Sequence, residues 1–346
     1  MIPKTNTTPT EAVVGAGVLG QEIICQRLRS LRDTADASGD GASANSAPPR
    51  PQLVLVSRNP RVAPDVLDRY GLPADAVGDV QMIAADARDH SAIQAALKSV
   101  DVIYHCANAP YHRWKQELPP IWDGILSAAR ACHARLVIAS NLYAFGPQPL
   151  AAGQSFAPCS RKGRIRAELE RRAMELHRNG GADVAIVRAS DFFGPGAHES
   201  MLGARFFEPP LNGKPASLVG RMDMPHSYAY VPDFARTMIA TAHTEDESVW
   251  GRDWIIPHDA PRTGAQLTAL LKEAIPGASV SAMGKGMLRF GGLFVPAARE
   301  LVEMYYEFDR PFVVDDSDTR ESLGLDATPF ERAFKETLAY YREERA

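Results

Sequence analysis

Short apolar runs alternate, in the first half of the chain, with longer stretches whose apolar residues recur every three or four positions. Ala12-Val13-Val14 is the first run and stops at glycines. From Leu19 to Leu31 the positions Ile23, Ile24, Leu28 and Leu31 keep helical spacing. Leu53-Val54-Leu55-Val56 reads as a second strand. Val80–Ala84, Asp101–Cys106, Arg135–Ala139 and Val184–Val187 follow as further strands. Helical stretches over Ser91–Val100, Trp122–His133 and Gly163–His177 lie between them. Uniformly apolar strands alternating with helices predict a parallel sheet covered on both faces. This is an α/β fold, a Rossmann doubly wound parallel sheet, with its ligand site at the carboxyl ends of the strands.

The rhythm breaks after about Ser190, where Phe193-Gly194-Pro195-Gly196 and Pro209-Pro210 interrupt the pattern. The chain therefore divides into a Rossmann domain over 1–190 and a smaller C-terminal substrate or lid domain over 191–346. A strand near 254–256 returns to the main sheet. Thr263-Gly264-Ala265-Gln266 and Thr328-Pro329-Phe330-Glu331 fit capping boxes that start two late helices. Asp33–Arg50, rich in Ala, Ser, Gly, Asp and Pro, reads as a flexible insertion.

A net charge of −4 argues against a nucleic-acid partner. No apolar run reaches the length of a membrane span. Met1–Thr10 is polar and lacks the apolar core of a secretory signal. The four cysteines form no C-x-x-C pair, so no metal is expected, and a reduced, cytoplasmic protein is.

Gly15-Ala16-Gly17-Val18-Leu19-Gly20 follows a strand and opens an amphipathic helix, the context in which G-x-G-x-x-G binds a pyrophosphate at a helix N-terminus. Val56-Ser57-Arg58 ends the second strand without a carboxylate. Ser57 and Arg58 suit a 2′-phosphate, which favours NADP over NAD. Asp86, after the third strand, reads either as a partner for the adenine amine or as a cap for the next helix.

With these segments in place the chain resembles the extended short-chain dehydrogenase/reductases, in particular the NAD-dependent epimerase/dehydratase family. The resemblance runs from Val13 to about Tyr341. Besides the glycine loop it rests on Ala85-Asp86, His105-Cys106-Ala107-Asn108-Ala109 and Leu142-Tyr143-Ala144-Phe145-Gly146-Pro147. Arg188-Ala189-Ser190-Asp191-Phe192-Phe193-Gly194-Pro195-Gly196 and Tyr230-Val231-Pro232-Asp233-Phe234-Ala235 extend it. It implies that Asp86 and Ala87 border the adenine and that Asn108 and Ala109 line the nicotinamide side. Members often form homodimers, but no sequence feature fixes the oligomeric state here.

The departures are equally informative. The family's glycine pattern begins one residue earlier, where this chain has Val14. The positions of its catalytic Ser/Thr, Tyr and Lys fall on Asn141, Lys162 and Arg166. Asn cannot ionise and Arg holds its proton at neutral pH. Lys162 acts as an acid only if its surroundings lower its pKa, and Lys162 and Arg166 remain able to hold cofactor oxygens. Tyr143, two residues past Asn141, is the substitute proton donor, with Asn141 and Lys162 orienting the substrate oxygen. The plainer reading is that Tyr143 only packs. On the loop after the fourth strand, Tyr111, Arg113 and Trp114 are candidate substrate contacts. His226 and Tyr228 form a second candidate wall, and Glu303-Met304-Tyr305-Tyr306, on a late helix, a pocket closure. The expected activity is NADP-dependent reduction, epimerisation or dehydration of a small organic substrate. The alternative is a non-catalytic NADP sensor that keeps the fold without the triad.

Overall fold

A computed structural model describes residues 8–37, 50–293 and 296–344. Its first half runs β1 (Thr10–Val14), α1 (Val18–Ala37), β2 (Gln52–Ser57), α2 (Pro64–Arg69), β3 (Val80–Ala84), α3 (His90–Ala96) and β4 (Val102–His105). It continues with α4 (Trp114–Cys132), β5 (Arg135–Ser140), the short β6 (Leu150–Ala151), α5 (Arg161–Arg178) and β7 (Asp183–Arg188). The second half begins with β8 (Asp191–Phe193), α6 (Ala204–Leu211), β9 (Ala216–Val219), β10 (Tyr228–Tyr230) and α7 (Val231–His243). Then come β11 (Asp253–Ile255), α8 (Gly264–Ala274), β12 (Val280–Met283), α9 (Lys285–Gly291), α10 (Pro296–Val302), β13 (Val314–Asp315), α11 (Ser317–Leu323) and α12 (Phe330–Glu343).

Seven strands form one parallel sheet in the order β11-β7-β5-β4-β1-β2-β3. The chain moves outward from β1 through β2 to β3, then crosses back to lay β4 on the other side of β1. That reversal opens a crevice at the carboxyl ends of β1 and β4. One face of the sheet is covered by α3, α4 and α5 through Trp114, Trp122, Ile125 and Leu169. The other is covered by α1, α2 and α7 through Ile23, Ile24, Leu28, Val66, Phe234 and Met238. A separate core, built on Phe206, Phe207, Leu267, Phe334 and Tyr341, joins α6, α8 and α12.

As the sequence predicts, β11 rejoins the main sheet, pairing Trp254 with Val187. Helix α7 also returns to that sheet and had no counterpart in the periodicity reading. Helix α4 begins eight residues before the expected Trp122, because Trp114 and Leu118 already face the core; Pro119 and Pro120 lie inside it, where each removes one intrahelical donor. Helix α1 extends through Ala37, into the segment expected to be irregular, with Arg29 pairing to Asp33 one turn on. The rest of that segment, residues 38–49, lies outside the described residues.

The capping box at Thr263 and Gln266 forms as expected. The one expected at Thr328 does not. Thr328 donates both its backbone N–H and its hydroxyl to buried Asp233 at 2.7 Å, which fixes the approach to α12 in place of a cap. The cap of α3 is Asp89, which accepts from the backbone of Ser91 and Ala92, so the capping role weighed for Asp86 is corrected. Asp89→Ala is expected to lower stability by removing the cap, measured by urea unfolding, whereas Asp86→Ala leaves that cap intact. An equal loss from both variants would contradict the assignment.

Candidate active site

The glycine loop is anchored to the sheet by a hydrogen bond from Gly15 N to Val56 O at 2.8 Å. Its three glycines answer different constraints. Gly15 has φ +113°, and a Cβ there would lie 2.7 Å from Ala107 N, so loop and β4 touch backbone to backbone. A Cβ on Gly20 would overlap the Gly15 carbonyl. Around Gly17 nothing lies within 4 Å of the Cβ position, which leaves the N-terminus of α1, starting at Val18 and Leu19, open to an approaching anion. These are the features a pyrophosphate site requires, so the loop fits a dinucleotide.

At the end of β2 the Ser57 hydroxyl is buried without a partner, and Arg58 is exposed with no ion pair among the described residues. Asp86 takes a hydrogen bond from Arg88 Nε at 3.0 Å, which with the nearby Arg58 charge holds its carboxyl down at about 2. Ala87 is half-buried beside it. Asn108 is exposed beyond β4 and accepts from Ala109 N at 2.9 Å, while Ala109 is buried.

Helix α5 carries Lys162, Arg166 and Glu170 at four-residue spacing, all on its buried face. Glu170 meets Arg188 of β7, and Arg188 also donates to Asp253 at 2.6 Å and to the Asn141 carbonyl at 3.0 Å. Among the described residues Arg166 has no carboxylate within bonding distance. Its guanidinium lies 4.8 Å from the Trp114 ring and 5.6 Å from that of Trp122, and its Nε is a buried donor without an acceptor. Burial pulls its pKa down. The same burial, with the Arg166 charge, holds His105 neutral at about 3, and both His105 nitrogens are unpartnered. A buried cation with an idle donor at the carboxyl end of the sheet fits an oxygen-rich ligand such as a ribose.

Lys162 is placed otherwise than expected. Its ammonium bonds to Glu300 and Glu303, with the Tyr111 ring 5.4 Å away, so it does not reach out to orient a substrate oxygen beside Tyr143. Those two glutamates outbid the cleft electrostatically because Lys162 is only 2% exposed. Glu303 thus serves as that partner, while Tyr305–Glu307 form a 3-10 turn after α10 and not the helical stretch expected. The Asn141 side chain accepts from Tyr143 N at 3.2 Å and stabilises the turn after β5.

That turn presents Tyr143, whose hydroxyl meets that of Tyr111 at 2.6 Å. Trp114 closes the cluster with its ring centroids 5.1 Å from Tyr111 and 6.0 Å from Tyr143, its indole N–H donating to Ala109 O. At 1% exposure Trp114 forms the floor under the phenols, not a surface cover. Burial, with the like charges of Glu307 and Asp191, pushes the Tyr143 phenol well above its usual range, and Tyr111 rises to about 12. Arg113 faces outward and pairs with Glu117 at 3.3 Å. His226 sits on the opposite wall, 2.9 Å from Asp191, with the Tyr228 ring 4.7 Å away. Asp191 and His105 lie in segments that carry the resemblance but were given no role there, and Glu307 and Glu170 were not singled out in the sequence; folding brings them to the cleft.

This fold and site define a nicotinamide-type Rossmann enzyme. The sequence matches the NAD dependent epimerase/dehydratase family over residues 50–256, more than half of the chain, and the protein belongs to that family. No curated protein sequence matches it. Among solved structures it is similar to UDP-glucuronic acid 4-epimerase from Bacillus cereus in complex with NAD, at TM-score 0.74 and 16% identity, covering 97% of this chain and 100% of that one. It is likewise similar to DesIV, a dTDP-glucose 4,6-dehydratase from Streptomyces venezuelae, at TM-score 0.72 and 20% identity, with 97% and 98% covered. UDP-glucose 4-epimerase from Thermotoga maritima aligns at TM-score 0.70 and 17% identity, with 97% and 100% covered. At these identities the likeness shows the fold. Among the described residues no helix is long and apolar enough to cross a membrane.

Proposed function

We propose that the chain is an NADP-dependent cytoplasmic enzyme that epimerises, dehydrates or reduces a hydroxylated substrate, with nucleotide sugars as the first class to test. When bound, the nicotinamide supplies or accepts hydride at the substrate carbon. The protein's part is to hold the dinucleotide and to move a proton at the substrate oxygen. The glycine loop and the α1 N-terminus take the pyrophosphate, Ser57 and Arg58 the 2′-phosphate, and Asp86, Ala87, Asn108 and Ala109 border the two bases. Arg166 holds ribose oxygens with its idle donors. Tyr143 donates the proton, and Tyr111 fixes the orientation of its hydroxyl.

The observation that carries this reading is the Tyr111–Tyr143 hydrogen bond at the carboxyl ends of β4 and β5, together with the partnerless Arg166 Nε. Nucleotide sugars are named because the similar epimerases and dehydratases carry them in their names. NADP is favoured by the partnerless Ser57 hydroxyl and by Arg58, where no carboxylate stands to meet a free ribose hydroxyl.

Two measurements test it. NADPH is expected to raise the thermal midpoint more than NADH at equal concentration. Arg58→Ala is expected to weaken NADPH binding about tenfold, the size of one exposed charge-assisted contact, and to leave NADH unchanged. Stronger stabilisation by NADH would overturn the NADP assignment. A screen of nucleotide sugars and simpler hydroxy or oxo compounds, followed at 340 nm and by product mass and NMR, then separates reduction from epimerisation and dehydration.

A further inference from the structure

The most exposed large apolar side chains among the described residues are Met287 at 60%, Phe290 at 67% and Leu293 at 75%, all on α9 or the turn that ends it. Single exposed apolar residues are ordinary on a soluble surface, but such a cluster marks a place of contact. Helix α9 is apolar on two sides. Leu288 faces inward and packs with Val219, Tyr305 and Phe308. Met287 and Phe290, one turn apart, lie on the outward side, and Leu293 follows one turn later. A helix apolar on both sides needs apolar surroundings on both. Helix α10 packs against α9, and a Cβ on Gly292 would lie 2.9 Å from Arg299 Cα, which brings Arg299 to the Leu293 end. Glu300 and Glu303 then tie α10 to Lys162, so the exposed side chains stand on a fixed base.

Charge indicates what the outward side meets. In a chain of net charge −4, residues 274–299 contain no Asp or Glu and carry Lys285, Arg289 and Arg299. All three cations are exposed, and none has an ion pair among the described residues. The Lys285 ammonium lies 5.8 Å from the Tyr305 ring, at the base of the helix. Apolar side chains interleaved with free cations match the boundary between the acyl chains and the anionic headgroups of a bilayer. A protein partner fits less well, because a standard interface buries about 800 Å² on each side, more than three side chains supply. We propose that the outward side of α9 docks this protein on an anionic membrane surface. Met287, Phe290 and Leu293 enter the interface, and Lys285, Arg289 and Arg299 meet the headgroup oxygens. Docking of this kind needs no spanning helix. It is independent of the reaction at the cleft, although the docking face and the partners of Lys162 share one pair of helices.

The test sediments the full chain with vesicles of phosphatidylcholine alone or of phosphatidylcholine mixed with phosphatidylserine. Binding is expected on the mixed vesicles and is expected to weaken as salt rises. Met287→Ser/Leu293→Ser is expected to reduce it about tenfold or more, and Arg289→Gln about fivefold. These positions are exposed, so both variants are expected to keep the wild-type thermal midpoint and its rise with NADPH. In Leu293→Trp, emission is expected to move to shorter wavelength on adding mixed vesicles, beyond any change from the four native tryptophans. No sedimentation with either vesicle, equal sedimentation with both, or binding that Met287→Ser/Leu293→Ser leaves unchanged would overturn the proposal. So would an unshifted Leu293→Trp emission. A concentration-dependent dimer that the double substitution abolishes, seen by sedimentation velocity without vesicle binding, would assign the face to a second copy of the chain instead.

Discussion

Tyr143→Phe is expected to lower turnover by about 10²–10⁴-fold, the usual contribution of a positioned acid or base. The substitution removes one oxygen and little else. The ring keeps its packing on Trp114 and Tyr111, and the backbone N–H of residue 143 still bonds to Asn141. The lost hydroxyl contact costs about 1 kcal/mol of stability, and NADPH affinity is expected to hold. Wild-type turnover in this variant would leave Tyr143 as a packing residue, the plainer reading of its place after β5. Because both phenols are raised, Tyr143 well above its ordinary value and Tyr111 to about 12, they remain protonated through the neutral range. No loss of activity from their ionisation is therefore expected below about pH 10, the ordinary phenol value.

Arg188→Met is expected to remove about 3–5 kcal/mol of folding stability. Arg188 is 1% exposed and sits between the Glu170 and Asp253 carboxylates, under the Phe145 ring at 4.5 Å. Methionine fills much of the same volume but leaves Glu170, fully buried at 0% exposure, without its cation. The Ser140 hydroxyl bonds to Glu170 but cannot neutralise its charge. The same guanidinium holds the Asn141 carbonyl, so the turn that presents Tyr143 loosens as well. Urea unfolding reads the first effect. A loss under about 1 kcal/mol, the value of an ordinary exposed pair, would mean that Glu170 finds another partner or a proton.

Much of the fold was legible because a parallel sheet writes itself as apolar runs. Val13-Val14, Leu53–Val56 and Leu136–Ile138 are buried on both sides, so no alternation blurs them. The glycine loop was legible because its spacing falls between a strand and a helix, and Gly15 and Gly20 meet backbone constraints that exclude a side chain. Charged residues hid the rest. Lys162 and Arg166 were placed at the site by the resemblance and not by periodicity, and with Glu170 they form the buried stripe of α5, with Glu300, Glu303 and Arg188 from distant segments pairing to Lys162 and Glu170. A periodicity reading treats charge as exposure and so inverts that face. Likewise Asp191 and Glu307 are separated by more than a hundred residues, and folding alone brings both to His226. The carboxylate pair that captures Lys162 could not be read from the lysine's position alone, and it takes Lys162 out of the orienting role expected for it beside Tyr143.

The most direct test of the account is a crystal structure of the protein with NADPH. The account predicts the pyrophosphate against Gly17 at the start of α1, the 2′-phosphate on Ser57 and Arg58, and the nicotinamide ribose on Arg166. The nicotinamide ring then faces the Tyr111–Tyr143 pair. A dinucleotide bound with its nicotinamide turned out of that cleft, and Arg166 still without a partner, would contradict it.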